Sequence, residues 1–223
     1  MGCPVEDLAA RLGVDETAVR EAVGKVGCDE DRVVAYLIWK FMEDAGRLKL
    51  IPRSGWWYYG VKEPESVADH TFAVAVLSFV IASILRDMGE DIDPFKALAI
   101  AVFHELGESR IGDIHLEARR YIEREVLDEA ERRAYEEVIS PIGRVGKRVL
   151  ALYEEFERRS SPEAKVVRAA DKLELLFQAF TYEKHGYRTL QPFWDTAENR
   201  RDFTHYDLLR GLYEALRRLR GED

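Results

Sequence analysis

Cysteine is nearly missing from this 223-residue sequence, which holds only Cys3 and Cys28. Two thiols are too few for the disulfide framework of a small secreted domain or for a cysteine-rich zinc site. Side-chain amides are almost as scarce, with Asn199, Gln178 and Gln191 alone, while arginine outnumbers lysine 24 to 9. Few thermolabile amides among many charges point to a thermophile source. No uninterrupted apolar run reaches the ~18–20 residues that a membrane span needs. The opening Met-Gly-Cys-Pro-Val-Glu-Asp lacks the basic flank and apolar stretch of a signal peptide. A soluble, cytoplasmic protein that engages no membrane is therefore expected. Positive charge is also short, with 42 acidic against 33 basic side chains and a net charge of −9. That balance argues against a nucleic-acid polymer as partner. The local run of Arg217, Arg218 and Arg220 falls in the last turn of a helical pattern, where cations complement the helix dipole.

What the sequence does have is helical periodicity, with an apolar fraction of 47% that suffices for one core of ordinary size. Phe72, Val76, Phe79, Val80 and Ile84 form an apolar stripe along Val67–Met88. Ser66 and Asp69 resemble a capping box at its start. Asp93-Pro94 and Ser161-Pro162 each supply an N-cap followed by a proline at the first helical position. Leu208, Leu209, Leu212, Leu216 and Leu219 mark a last amphipathic segment. No period-two run extends beyond a few residues, so the fold class is all-α. Glu117–Glu137 is crowded with charges, including Asp128/Arg132 and Glu129/Arg133 at i, i+4, and reads as a solvated face.

The first 37 residues read as a separate module of three short helices. Asp15 and Asp29 are N-caps, Gly13 and Gly27 punctuate the turns, and Leu8, Leu12, Val19, Val23, Val26, Val33, Val34 and Leu37 would fill a small core. The stretch AVREAVGKVGCDEDRVVAYL resembles ubiquitin-associated-like modules. Two roles stay open for residues 1–37: a partner-binding element, or a cap packed on the main domain of residues 38–223.

Several ionisable residues in the main domain lie where the pattern asks for apolar ones. His70 has Ala73, Val74 and Leu77 at i+3, i+4 and i+7. His104 follows Ile100 and Ala101 by one turn, and Asp171 lies between Val167 and Leu175. Burying such groups unpaired costs several kcal/mol, so each needs a partner. One divalent cation satisfies them together, since imidazole and carboxylate are its common ligands. In His104-Glu105-Leu106-Gly107-Glu108, helical spacing puts one imidazole and two carboxylates within reach of one centre. The same stretch begins like the zinc-protease pattern H-E-x-x-H, but Glu108 replaces the second histidine and a protease loses a ligand.

Three segments in order, GWWYYGVKEPESVADHTFAVAVLS, ALAIAVFHELGESRIGDI and EAKVVRAADKLELLFQA, resemble the HD-domain metal-dependent phosphohydrolases over about Phe41–Tyr187. The likeness is to the branch that contains 5′-deoxynucleotidases. It implies a helical bundle that holds one divalent ion, Mn, Co, Zn or Mg, through His70, His104, Glu105 and Asp171. The family doublet is His-Asp, and Glu105 departs from it by one methylene at the same charge. The resemblance further implies Glu108 as the catalytic acidic residue, with Arg53, Trp56 and Asp113 contacting substrate. The implied reaction is phosphate release from a nucleoside 5′-monophosphate, most readily a deoxynucleotide, by metal-activated water attack. The implied assembly is a homodimer. Alternatives are a nucleotide polyphosphate or cyclic ester as substrate, or a non-catalytic interaction protein with a structural metal site. Lys172, next to Asp171, could balance charge.

Overall fold

Helix signals in the sequence translate directly into helix ends. The computed structural model describes residues 4–195 and 201–221, so Cys3 and Asn199 lie outside the described residues. Asp15 accepts from the Thr17 amide and Asp29 from the Arg32 amide, which starts α2 (Glu16–Val26) and α3 (Glu30–Ala45) after α1 (Val5–Leu12). Ser66 and Asp69 form a reciprocal capping box on α5 (Val67–Asp87), preceded by the short α4 (Ser54–Tyr58). Asp93-Pro94 opens α6 (Pro94–Phe103), and Ser161-Pro162 opens α11 (Pro162–Lys184). Between them lie α7 (Glu108–Ile111), α8 (Leu116–Arg119), α9 (Arg124–Ile139) and α10 (Gly143–Arg158). The chain closes with α12 (Gln191–Asp195) and α13 (Asp207–Arg220). Among the described residues there is no strand, only an isolated bridge between Pro52 and Ser66. The all-α expectation holds.

The chain divides into two compact units, each built from two segments. The first comprises Met1–Ile51 and Glu105–Ala151. Its N-terminal helices enclose the small core expected from the sequence, with Leu8, Ala9, Val19, Ala22, Val33 and Leu37 buried and Leu12, Val23 and Val26 packed beside them. Residue 37 is not a helix end, because α3 runs on unbroken to Ala45. Gly143, at φ +48°, ties this module to α10: a Cβ there would collide with the Leu12 carbonyl oxygen. Within the charged segment, Arg132 pairs with Glu136 at 2.9 Å and Asp128 with Arg124 at 3.6 Å, so the ion pairs use other partners than the spacing suggested.

The second unit comprises Pro52–His104 and Leu152–Asp223. Here α5, α6 and α11 pack around Val74, Ile81, Leu85, Ile100, Leu173 and Leu176. The apolar stripe expected on α5 faces the other way: Phe72, Val76, Val80 and Ile84 are exposed, while Val67, His70, Val74, Ser78, Ile81 and Leu85 are buried. Because α5 is apolar almost all round, periodicity alone does not choose its buried side. The same composition makes α5, at 21 residues, long and apolar enough to cross a membrane by length and composition. That differs from the sequence expectation, which counted only uninterrupted runs and stopped at Ser78 and Ser83.

Candidate metal centre

The site is assembled from the inward faces of α5, α6 and α11. His70 lies in the first turn of α5 and is fully buried. Its Nδ1 lies 2.5 Å from Glu174 on α11, and its Nε2 lies 3.3 Å from the Asp171 carboxylate. Asp171 and Glu174, three residues apart, share one face of α11. His104 caps the C-terminus of α6 and donates from Nδ1 to the Ala101 carbonyl at 2.7 Å. That bond fixes its tautomer and leaves Nε2 as the lone-pair nitrogen. The two imidazole centroids are 5.7 Å apart, and the Phe156 ring meets His104 edge-on. Glu105, one peptide bond beyond His104, supplies the fourth donor of a group whose ligand atoms all lie within 4.8 Å of one another: His70, His104, Glu105 and Asp171. Two imidazoles with two carboxylates form the nitrogen–oxygen donor set that a divalent cation takes, so the residues fit the ion.

Electrostatics follow from this packing. Burial, and then the Arg53 charge, pull the His70 pKa down, but the hydrogen bonds its ring donates to Asp171 and Glu174 outweigh both and raise it to about 9. Burial works to raise Asp171 as well, yet the Lys172 ammonium at 3.2 Å and the His70 hydrogen bond hold it well below the usual carboxylate range. The charge balance expected of Lys172 is thus present as an ion pair. A further carboxylate, Glu65, joins His70 and Glu174 in a second cluster. Burial, reinforced by the Glu174 charge, pushes Glu65 up to about 7. Glu65 and Glu174 escaped the sequence reading. For Glu174 a signal existed, since Asp171-Lys172-Leu173-Glu174 puts two acids on one apolar helix face.

The remaining sequence-predicted residues are placed as follows. Arg53 is the N-cap of α4, its amide donates to the Glu65 carbonyl at 2.9 Å, and its charge acts on both Glu65 and His70. Trp56 is a core residue: it is buried, its indole N–H donates to Glu65 at 2.8 Å, and its ring lies 4.2 Å from that of Phe193. Its neighbours Trp57 and Tyr58 are exposed. In the first unit, Glu108 opens α7 and is buried, and Asp113 follows Gly112 at φ +77°. His104 and Glu108 do not share one continuous helix as the spacing suggested. The α-helical bonding ends at Phe103, and the Glu108, Ser109 and Arg110 amides bond to carbonyls three residues back. That tighter turn eclipses residues three apart and so aligns Glu105 with Glu108. Arg110, which joins Asp44 at 2.7 Å and Glu137 at 3.2 Å, anchors α7 within its unit. His115 caps α8 through Nδ1.

Residues 45–205 match the model of a protein family described as HD domain. The chain belongs to the HD-domain family. Among its HD-domain relatives, the 5′-deoxynucleotidase HDDC2 of Dictyostelium discoideum is 32% identical over 181 residues, covering 78% of this chain and 93% of that protein. The 5′-deoxynucleotidase HDDC2 of Homo sapiens is 31% identical over 178 residues, covering 78% and 82%. A solved structure of a conserved hypothetical protein from Pyrococcus furiosus is 38% identical with a TM-score of 0.70, covering 80% of this chain and 98% of that one.

Proposed function

We propose that this HD-domain chain is a metal-dependent phosphohydrolase that releases phosphate from nucleoside 5′-monophosphates, deoxynucleotides foremost. The observation that carries this reading is the buried His70, His104, Glu105 and Asp171 donor set in a chain whose relatives are named 5′-deoxynucleotidases. Those four residues would hold one divalent ion, Mn, Co, Zn or Mg, their imidazole nitrogens suiting Zn and their carboxylates Mn and Mg. When bound, the ion supplies a Lewis acid for a phosphoryl oxygen and lowers the pKa of water. Glu174 and the Ala101 carbonyl hold the two imidazoles in the ligating tautomer. Glu108 accepts the proton of the attacking water. Arg53 meets the phosphate dianion with its planar fork of donors. Asp113 accepts a hydrogen bond from a sugar hydroxyl. Trp56, with its ring in the core, acts on substrate by fixing Glu65 and the backbone of Arg53.

The partner in this reading is a small nucleotide, and the protein works as a homodimer in the cytoplasm. Helices α1 to α3 form the three-helix module that the sequence pattern places at residues 1–37, available to a protein partner, and the hydrolase is carried by the domain placed at residues 38–223. The test is phosphate release by metal-reconstituted protein from a panel of deoxy- and ribonucleoside 5′-monophosphates, a triphosphate, a cyclic ester and a generic phosphate ester. Faster release from deoxynucleoside 5′-monophosphates is expected. Release confined to the triphosphate or cyclic ester would replace the substrate, and no release with any of the four metals would leave the centre structural.

A further inference from the structure

Phe156 gives no atom to the donor set, yet it stands between that set and the surface. It lies near the end of α10 and is 2% exposed. Its ring meets the His104 imidazole at 5.1 Å between centroids, with the two planes at 70°. The Arg168 guanidinium lies over the same ring, 3.8 Å from its centroid. Two further bonds hold Arg168 there: Nη2 donates to the Glu157 carboxylate at 2.6 Å and Nε to the Phe156 carbonyl at 3.4 Å. Contacts therefore run unbroken from Glu157 through Arg168 and Phe156 to His104. As an ion pair alone, the partly exposed Glu157 would add little; here it aims a planar guanidinium at an aromatic face.

His104 needs such support. The bond from Nδ1 to the Ala101 carbonyl fixes the place of one ring atom. The terminal torsion of a histidine is broad, so the tilt of the ring about that bond falls to whatever packs on it. Those neighbours are the His70 ring at 5.7 Å and Phe156. A ligating nitrogen offers its lone pair in the ring plane, so tilt decides whether Nε2 points at the centre. Arg168 also stands one helical turn before Asp171 on α11. One helix thus places a ligand and clamps the ring that aims another.

We propose that Phe156 is a positioning residue of the metal centre, fixing the plane of His104, and that Arg168, held by Glu157, fixes Phe156. That role rests on the metal binding proposed above and is tested without substrate. Co²⁺ binding by the full chain is read by chelator competition and by visible d–d absorption, which reports ligand geometry. Phe156→Leu keeps an apolar side chain and removes the ring; it should weaken Co²⁺ binding about 10- to 100-fold and shift the absorption bands. Arg168→Met unclamps the ring and should move both readouts the same way by less. Phe203→Leu removes another buried ring of the same core, one stacked on Tyr213. It should lower the melting temperature and leave Co²⁺ affinity and bands as in the wild type. Circular dichroism reports folding, and if Phe156→Leu does not fold, Arg168→Met carries the test. Wild-type affinity and bands in either folded variant, or the same shift in Phe203→Leu, would overturn the proposal. Phosphate release by the wild type with unshifted variants sinks this role alone, whereas shifted variants of a chain that releases no phosphate sink the hydrolase alone.

Discussion

Glu174 decides the state of His70, because the carboxylate 2.5 Å from Nδ1 holds that proton and turns Nε2 toward Asp171. Glu174→Gln keeps the shape and removes the charge. It should weaken Mn²⁺ affinity about 10- to 100-fold, read by competition with a chelator, while the helical content stays that of the wild type. Unchanged affinity would mean that the tautomer is held by other groups. Glu108→Gln should separate chemistry from metal binding: turnover falls by a factor on the order of 10² to 10⁴, and bound metal measured by elemental analysis does not change. His70, His104 and Asp171 were legible in the sequence because each is an ionisable group on an apolar helix face. Glu65 was not, since in a chain with 42 acids another carboxylate looks like surface until the packing buries it, whereas Glu174 was within reach of the pattern, three residues beyond Asp171 on the same face.

Helix ends were the most legible elements, because capping depends on a few adjacent residues. Ser66 both accepts from and donates to Asp69 at the start of α5, and Asp69 directly precedes His70 of the centre. Ser66→Ala should therefore cost about 1 kcal/mol in urea unfolding. Gly143 is required by geometry, with a positive φ and no room for a Cβ beside Leu12. Gly143→Ala should cost about 1–3 kcal/mol by the same measurement, and a neutral effect would show that the α1–α2 turn gives way. The buried side of α5 was not legible, since a helix apolar all round offers several stripes and only the packing of α6 and α11 selects one. The change from α-helical to tighter bonding after Phe103 was likewise hidden, although Gly107 marks it. A Cβ at Gly107 would press on the Glu131 carbonyl at 3.2 Å, a contact with a helix more than twenty residues along the chain.

At the scale of the whole molecule, the chain passes between its two compact units at residues 51–52, 104–105 and 151–152. Local pattern could not reveal this interleaving, because nothing in a helix's own residues names the helix it packs on. The donors at the centre come from α5, from α11 and from the end of α6 with Glu105 just beyond it, so a bound ion would cross-link elements far apart in sequence. Removing it should lower the melting temperature: at a metal concentration of about 100 times the dissociation constant, binding contributes ~2.7 kcal/mol. Scanning calorimetry with and without a chelator reads this loss, and restoring Mn²⁺ should recover it. The central claim is that the His70, His104, Glu105 and Asp171 centre makes this HD-domain chain a nucleotide phosphohydrolase. The most direct measurement is inorganic phosphate released from a deoxynucleoside 5′-monophosphate by metal-reconstituted wild type and by His104→Ala, side by side. The account predicts steady release by the wild type and loss of at least about a hundredfold in the variant. Equal release by the two proteins, or none by a wild type shown to hold its metal, would contradict it.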